Sequence, residues 1–212
     1  MNDRVQLTYG FDAYCGWCYG FGPALHEFAE QNADRIDLQV LSGGLFTGPR
    51  AQPIGDFPHI PGANDRIATL TGVTFGDDYQ QVLTDGTRVM DSTDAATGLV
   101  ALRRQAPERQ LEFAGALQRA WYVDGRDLSD AEVYRDLAAE LGLDPDAVVA
   151  AYLDPASRAE AEREFRELRQ LGVDSYPTLL LHTDRGAVRL GGPVSSAATL
   201  TEALDQYLAV RA

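Results

Sequence analysis

The chain has 212 residues, 45% apolar and 24% charged, enough for one well-cored domain or one domain carrying a large insertion. All 18 basic residues are arginine, which excludes Schiff-base chemistry, the phosphate-loop lysine and the kinase strand lysine. With 32 acidic residues the net charge is −14, which repels DNA, RNA and anionic lipid, so neither a nucleic-acid nor a membrane partner is expected.

The sequence opens without an apolar run of signal-peptide length, and no stretch approaches the length of a membrane span, so a cytoplasmic protein is expected. Val5 to Phe11 alternates apolar and polar residues as a strand does. A helix is predicted from Cys18 to Gln31, with Phe21, Leu25 and Phe28 on one face and a kink at Pro23. Ile36 to Leu41 reads as a second strand, parallel to the first through a right-handed crossover. A Gly/Pro-rich stretch follows from Ser42 to Gly62, either covering a site or linking to what comes next.

A helical block is then predicted. Ser92 or Asp94 caps its first helix, which runs through Leu99 and Leu102. Phe113, Leu117 and Trp121 form one stripe, Val133, Leu137 and Leu141 another, and Ser129 and Glu132 have capping-box spacing. Asp144-Pro145 and Asp154-Pro155 each read as a cap followed by proline in the first turn. Ala161, Phe165 and Leu168 face inward on the last of these helices, which stops at Gly172. Strands from Thr178 to His182 and from Ala187 to Leu190 flank a turn, and a final helix carries Leu200, Leu204 and Leu208. The order β-α-β, helices, β-β-α predicts an α/β protein of thioredoxin-like fold with a large helical insertion. Residues 1–62 and 172–212 form the discontinuous main domain, and residues 63–171 form the inserted subdomain.

Two cysteines, Cys15 and Cys18, are the whole thiol content. A disulfide closing so short a loop stabilises by only about 2 kcal/mol in the chain-entropy picture. A zinc site wants four ligands, and His26, His59 and His182 are scattered singly. A redox dithiol fits the context better, because Cys15 falls where a strand passes into a helix. Backbone N–H groups and the positive end of the helix dipole favour a thiolate there. Cys18 lies one turn deeper, placed to resolve a mixed disulfide.

The segment Phe11-Asp12-Ala13-Tyr14-Cys15-Gly16-Trp17-Cys18-Tyr19 resembles the active-site segment of thioredoxin-fold oxidoreductases. It is similar in particular to the DsbA-like family and its FrnE-like branch of cytoplasmic protein-disulfide isomerases. Residues 117–130 resemble a segment of that family's helical insertion, and Gly172-Val173-Asp174-Ser175-Tyr176-Pro177-Thr178 resembles its cis-proline loop. The resemblance implies that Pro177 is cis and sits beside Cys15. Tyr176 would then offer its backbone to an extended substrate chain.

The implied activity is thiol–disulfide exchange on protein or peptide disulfides, supported by a cellular reductant or oxidant. Cys15 and Cys18 are the catalytic pair. Gly16 lets a substrate backbone approach, Trp17 covers the thiol or packs beside it, and Tyr14 and Tyr19 shape the pocket wall. Asp12 is a candidate proton shuttle for Cys18, although a capping or surface acid is the plainer expectation. His26 is expected to be solvated, and His59 is a candidate visitor to the site. No metal or organic cofactor is required, and glutathione is a candidate co-substrate. Two rival readings are a glutathione-dependent enzyme of the kappa-class type and a non-catalytic zinc or redox-sensing module.

Overall fold

In a computed structural model, which describes residues 4–211, the central strand is β1 (Val5–Phe11). Every β1 residue except Gln6 is buried, so the strand is covered on both faces rather than on the single face its alternation implies. Helix α1 (Gly16–Gln31) covers one face with Phe21, Leu25 and Phe28. On the other face, a Cβ at Gly10 would lie 3.0 Å from Leu168 of α8 (Pro155–Gln170). Helix α1 continues through Pro23, which costs one backbone hydrogen bond without ending the helix.

Strand β2 (Ile36–Ser42) lies parallel to β1, with Val5 opposite Ile36 and Phe11 opposite Ser42. Strand β3 (Thr178–Thr183) runs antiparallel on the other side of β1 with Gly10 opposite Thr178, and β4 (Gly186–Gly191) completes the order β2-β1-β3-β4. This register brings the ends of β1 and β2 and the start of β3 to one edge of the sheet.

Seven helices separate β2 from β3 in the chain: α2 (Ile60–Thr71), α3 (Asp77–Asp85), α4 (Ser92–Arg103), α5 (Gln110–Tyr122), α6 (Ala131–Glu140), α7 (Pro145–Leu153) and α8. The last helix, α9 (Ala197–Arg211), buries Leu200 and Leu204. Two caps differ from expectation. Asp91 caps α4, accepting from the Thr93 and Asp94 N–H groups, while the Ser92 hydroxyl instead accepts from Phe46 N–H at 2.9 Å. Asp130 caps α6 in place of Ser129. Asp144 and Asp154 cap α7 and α8 as the Asp-Pro pairs imply.

The exposed edge of β2 is closed by side chains rather than by another strand. Gln110 accepts from Val40 N–H and donates to Leu38 C=O, Arg103 donates to Val40 C=O, and Glu164 accepts from Ser42 N–H. Arg103 and Glu164 are themselves paired. Open backbone groups on an edge strand invite association, and these contacts satisfy them while clamping α4, α5 and α8 to the sheet. One buried apolar cluster runs without a break from Leu7 and Phe28 to Trp121 and Leu137.

Candidate active site

Between β1 and α1 the chain makes a tight turn, with Cys15 N–H bonded to Asp12 C=O at 3.0 Å. The Asp12 carboxylate accepts from Tyr14 N–H at 3.0 Å, the local bond expected of an aspartate in a turn. Helix α1 starts at Gly16, two residues earlier than its apolar periodicity predicts, because Cys15 itself is the N-cap. Its Sγ accepts from Cys18 N–H at 3.4 Å, the position a serine or aspartate oxygen usually takes. A sulfur held there faces free helical N–H groups and the positive dipole end.

The third participant comes from 161 residues away. The Cys15 thiol lies 3.5 Å from the Tyr176 carbonyl oxygen, and the Tyr176–Pro177 peptide is cis. Both cysteines are free thiols. Cys15 is 6% exposed and Cys18 is fully buried behind it. Burial, and then the hydrogen bond to Cys15, push the Cys18 thiol well above its ordinary pKa. Its surroundings therefore disfavour the thiolate form.

Asp12 is neither a surface acid nor a helix cap. It is 1% exposed, and its second oxygen accepts from Leu45 N–H at 2.9 Å. Burial pushes its carboxyl up to about 6 against the lowering pull of Leu45, Ser92, Tyr14 and Arg50. The carboxylate thereby ties the loop after β2 to the active-site turn. That loop also holds Tyr176: a Cβ at Gly43 would lie 2.1 Å from the Tyr176 ring, so only glycine lets the ring pack there.

Beside Cys15 is a cavity of about 180 Å³, walled by Tyr14, Trp17, Phe46, Ile67, Met90 and Trp121 among others, with exposed His59 also on its lining. Trp17 is half-buried against it, with the Arg66 guanidinium 6.0 Å from the ring centre. Gly16 lines the cavity as well. The space its missing side chain leaves is filled by α2, since a Cβ would meet Ile67 Cδ1 at 2.8 Å. The missing side chain at Gly16 therefore serves the protein's own packing as well.

Tyr14 lines the cavity, edge-on to Trp121 with ring centres 4.8 Å apart. Tyr19 stands behind it, stacked on Tyr122 and donating to Thr74 C=O at 2.7 Å. His26 is half-buried and bonds to Gly22 C=O, and His182 pairs with the Thr8 hydroxyl. Among the described residues no three His, Cys, Asp or Glu side chains cluster so as to hold a metal ion. Two wider grooves, about 460 and 670 Å³, contain neither thiol.

Sequence reasoning missed several lining residues. Ile67, Tyr79 and Met90 lie in a stretch with no clear apolar stripe. Tyr122, whose hydroxyl is 3.8 Å from the Cβ position of Gly16, reads by periodicity as a helix end. Tyr9, buried against Phe21 behind the site, is hidden in the strand alternation.

The model of the DSBA-like thioredoxin domain matches residues 6–205. The cytosolic disulfide reductase DsbM from Pseudomonas aeruginosa is 30% identical, with a TM-score of 0.81 over 97% of this chain and 99% of that one. The same enzyme with GSH superposes with a TM-score of 0.77 over 98% of this chain and 100% of the other. A Nitrosomonas europaea protein of 21% identity shares the fold with a TM-score of 0.83, covering 99% of this chain and 100% of its own. A sequence comparison with curated proteins finds no match. No helix among the described residues is long and apolar enough to cross a membrane. A helix-capping cysteine, a second cysteine one turn on and the carbonyl preceding a cis-proline at the same sheet edge thus accompany a family match over nearly the whole chain, and the protein belongs to the DSBA-like thioredoxin domain family of thiol–disulfide oxidoreductases.

Proposed function

We propose that this protein reduces or rearranges disulfides in peptides and proteins through Cys15 and Cys18, drawing electrons from a small thiol of the glutathione type. The observation that carries the reading is the position of Cys15 Sγ, at the helix N-cap and 3.5 Å from the Tyr176 carbonyl. The 30% identical cytosolic reductase and its complex with GSH support the reducing direction and a cytoplasmic setting.

An extended substrate lies along Tyr176 and Pro177 and directs an apolar side chain into the cavity between Tyr14, Trp17 and Ile67. The Cys15 thiolate attacks one substrate sulfur. The substrate disulfide breaks, its electron pair leaves on the far sulfur, and that sulfur takes a proton from solvent. Cys18 then gives its proton to the Asp12 carboxylate and attacks Cys15 Sγ. The mixed disulfide breaks, the second substrate thiolate departs, and Cys15–Cys18 is left oxidised. Two small thiols reduce it by the reverse exchange and leave as one disulfide. Substrate sulfur is reduced and the small thiols are oxidised, so electrons balance without metal or flavin.

The test follows insulin and peptide disulfide reduction with glutathione as the reductant. Wild type should turn over and Cys15→Ser should lose all enzyme-dependent rate. Wild-type rates from the Cys15→Ser protein would overturn the reading.

A further inference from the structure

The Tyr9 side chain lies on the inner face of β1, stacked on Phe11 with ring centres 5.7 Å apart and leaning on Phe21 at 6.1 Å. Phe21 follows Cys18 by three residues on α1, so this packing directs the phenol under the resolving cysteine. The hydroxyl is near enough to Cys18 for the thiol to raise its pKa, yet it is sealed from solvent and meets no partner at hydrogen-bond geometry. A buried hydroxyl left unbonded costs stability, and phenylalanine would fill the same space without that cost. A neutral thiol sulfur is a weak acceptor, so in the reduced protein Cys18 gives the phenol little to bond to. When Cys18 becomes a thiolate, that changes.

We infer that the Tyr9 hydroxyl is a catalytic hydrogen-bond donor to the Cys18 thiolate, idle in the dithiol state and engaged when Cys18 resolves a mixed disulfide. The inference rests on the exchange chemistry proposed above and adds to it the group that stabilises the second nucleophile. With no lysine in the chain, a neutral donor at this depth avoids the desolvation of a buried cation. Tyr9 keeps its own proton throughout. Burial, followed by the charges of Cys18 and Cys15, holds the phenol well above its ordinary pKa, so it donates a bond but cannot act as the base. The Cys18 proton goes to Asp12, the Cys18–Cys15 bond forms, the Cys15–substrate bond breaks, and the electron pair leaves on the substrate sulfur.

The experiment mixes reduced protein with Ellman's reagent and records the two releases of chromophoric thiol. Attack by Cys15 gives the first, and resolution by Cys18 gives the second. Tyr9→Phe should leave the first phase within about twofold of wild type and slow the second about tenfold or more, as loss of a hydrogen bond to a charged atom does. Its melting temperature should be equal or higher. A second measurement is at equilibrium: Cys18 titrated by thiolate ultraviolet absorbance in a Cys15→Ala background should titrate higher when Tyr9→Phe is added. A second phase at the wild-type rate, or an unmoved titration, overturns the inference. Neither result touches the assignment of Cys15, which stands or falls with Cys15→Ser.

Discussion

The floor and the roof of the site are built on different principles. The floor comprises Cys15, Cys18, Asp12 and Tyr176, and backbone geometry positions its reacting groups: an N-cap, one helical turn, an aspartate turn and a strand entrance. The roof is the loop after β2 together with α2, and there side-chain packing does the positioning, with Ile67 against Gly16 and the ring, rather than the backbone, of Tyr176 against Gly43. A floor fixed by backbone tolerates little change in chemistry, whereas a roof fixed by packing can vary its lining and still close. On the function proposed above, chemistry and substrate choice are therefore separable in this fold.

Substitutions can break that division, and the largest effect is expected on the floor. Cys15→Ser should lower disulfide reduction by about a thousandfold or more, measured as turnover with a peptide disulfide, because no other nucleophile shares its position. Asp12→Asn should slow resolution by Cys18 about tenfold to hundredfold and abolish an inflection near pH 6 in the pH profile of that step. The sign is set by the raised carboxyl. Below about 6 it is protonated and cannot accept the Cys18 proton, so resolution in wild type should rise through that pH and then level. Stability runs the other way over the same interval. The folded carboxyl binds its proton more tightly than the ordinary 3.8, so its stabilising contribution is fullest below that value and fades as pH rises through about 6. Urea melts of wild type and Asp12→Asn between these limits check this.

Roof substitutions should show smaller and different signatures. Gly43→Ala drives a methyl group to within 2.1 Å of the Tyr176 ring, which must leave its seat. The expected cost is about 1–3 kcal/mol in denaturant unfolding together with a raised KM, the usual toll of overpacking. Gly16→Ala crowds the flexible end of Ile67 at 2.8 Å, with its other neighbours at 3.4 Å or more, and should cost about 1 kcal/mol or less, with kcat nearly unchanged. Should Gly16→Ala damage kcat as severely as Asp12→Asn, the separation of floor and roof would be wrong.

The same division explains what could be read from the sequence. A cysteine pair after an alternating strand identifies the floor because backbone rules act locally: Cys15 at a helix start and Cys18 one turn later follow from spacing alone. Residues 63–91 carried no comparable signal. Helix α2 buries only Asn64 and Ile67, and α3 only Tyr79 and Val82, too thin a stripe to stand out beside Pro61 and Gly62. Asp12 was misjudged for a related reason. Its burial comes from Leu45 and Ser92, residues 33 and 80 positions away, and no local pattern reports such partners. The 42–62 stretch, read as either cover or linker, contributes Leu45, Phe46 and His59 to the cavity and then leads into α2 at Ile60.

The central claim is a division of labour, in which Cys15 attacks and Cys18 releases. It is tested most directly by incubating the Cys18→Ser protein with a peptide disulfide and analysing the product by non-reducing mass spectrometry. The account predicts one stable adduct, a single peptide disulfide-bonded to Cys15, which forms at close to the wild-type rate of first attack and persists until an external thiol is added. Free protein with no adduct, while the variant still reduces the peptide at the wild-type rate, would contradict it.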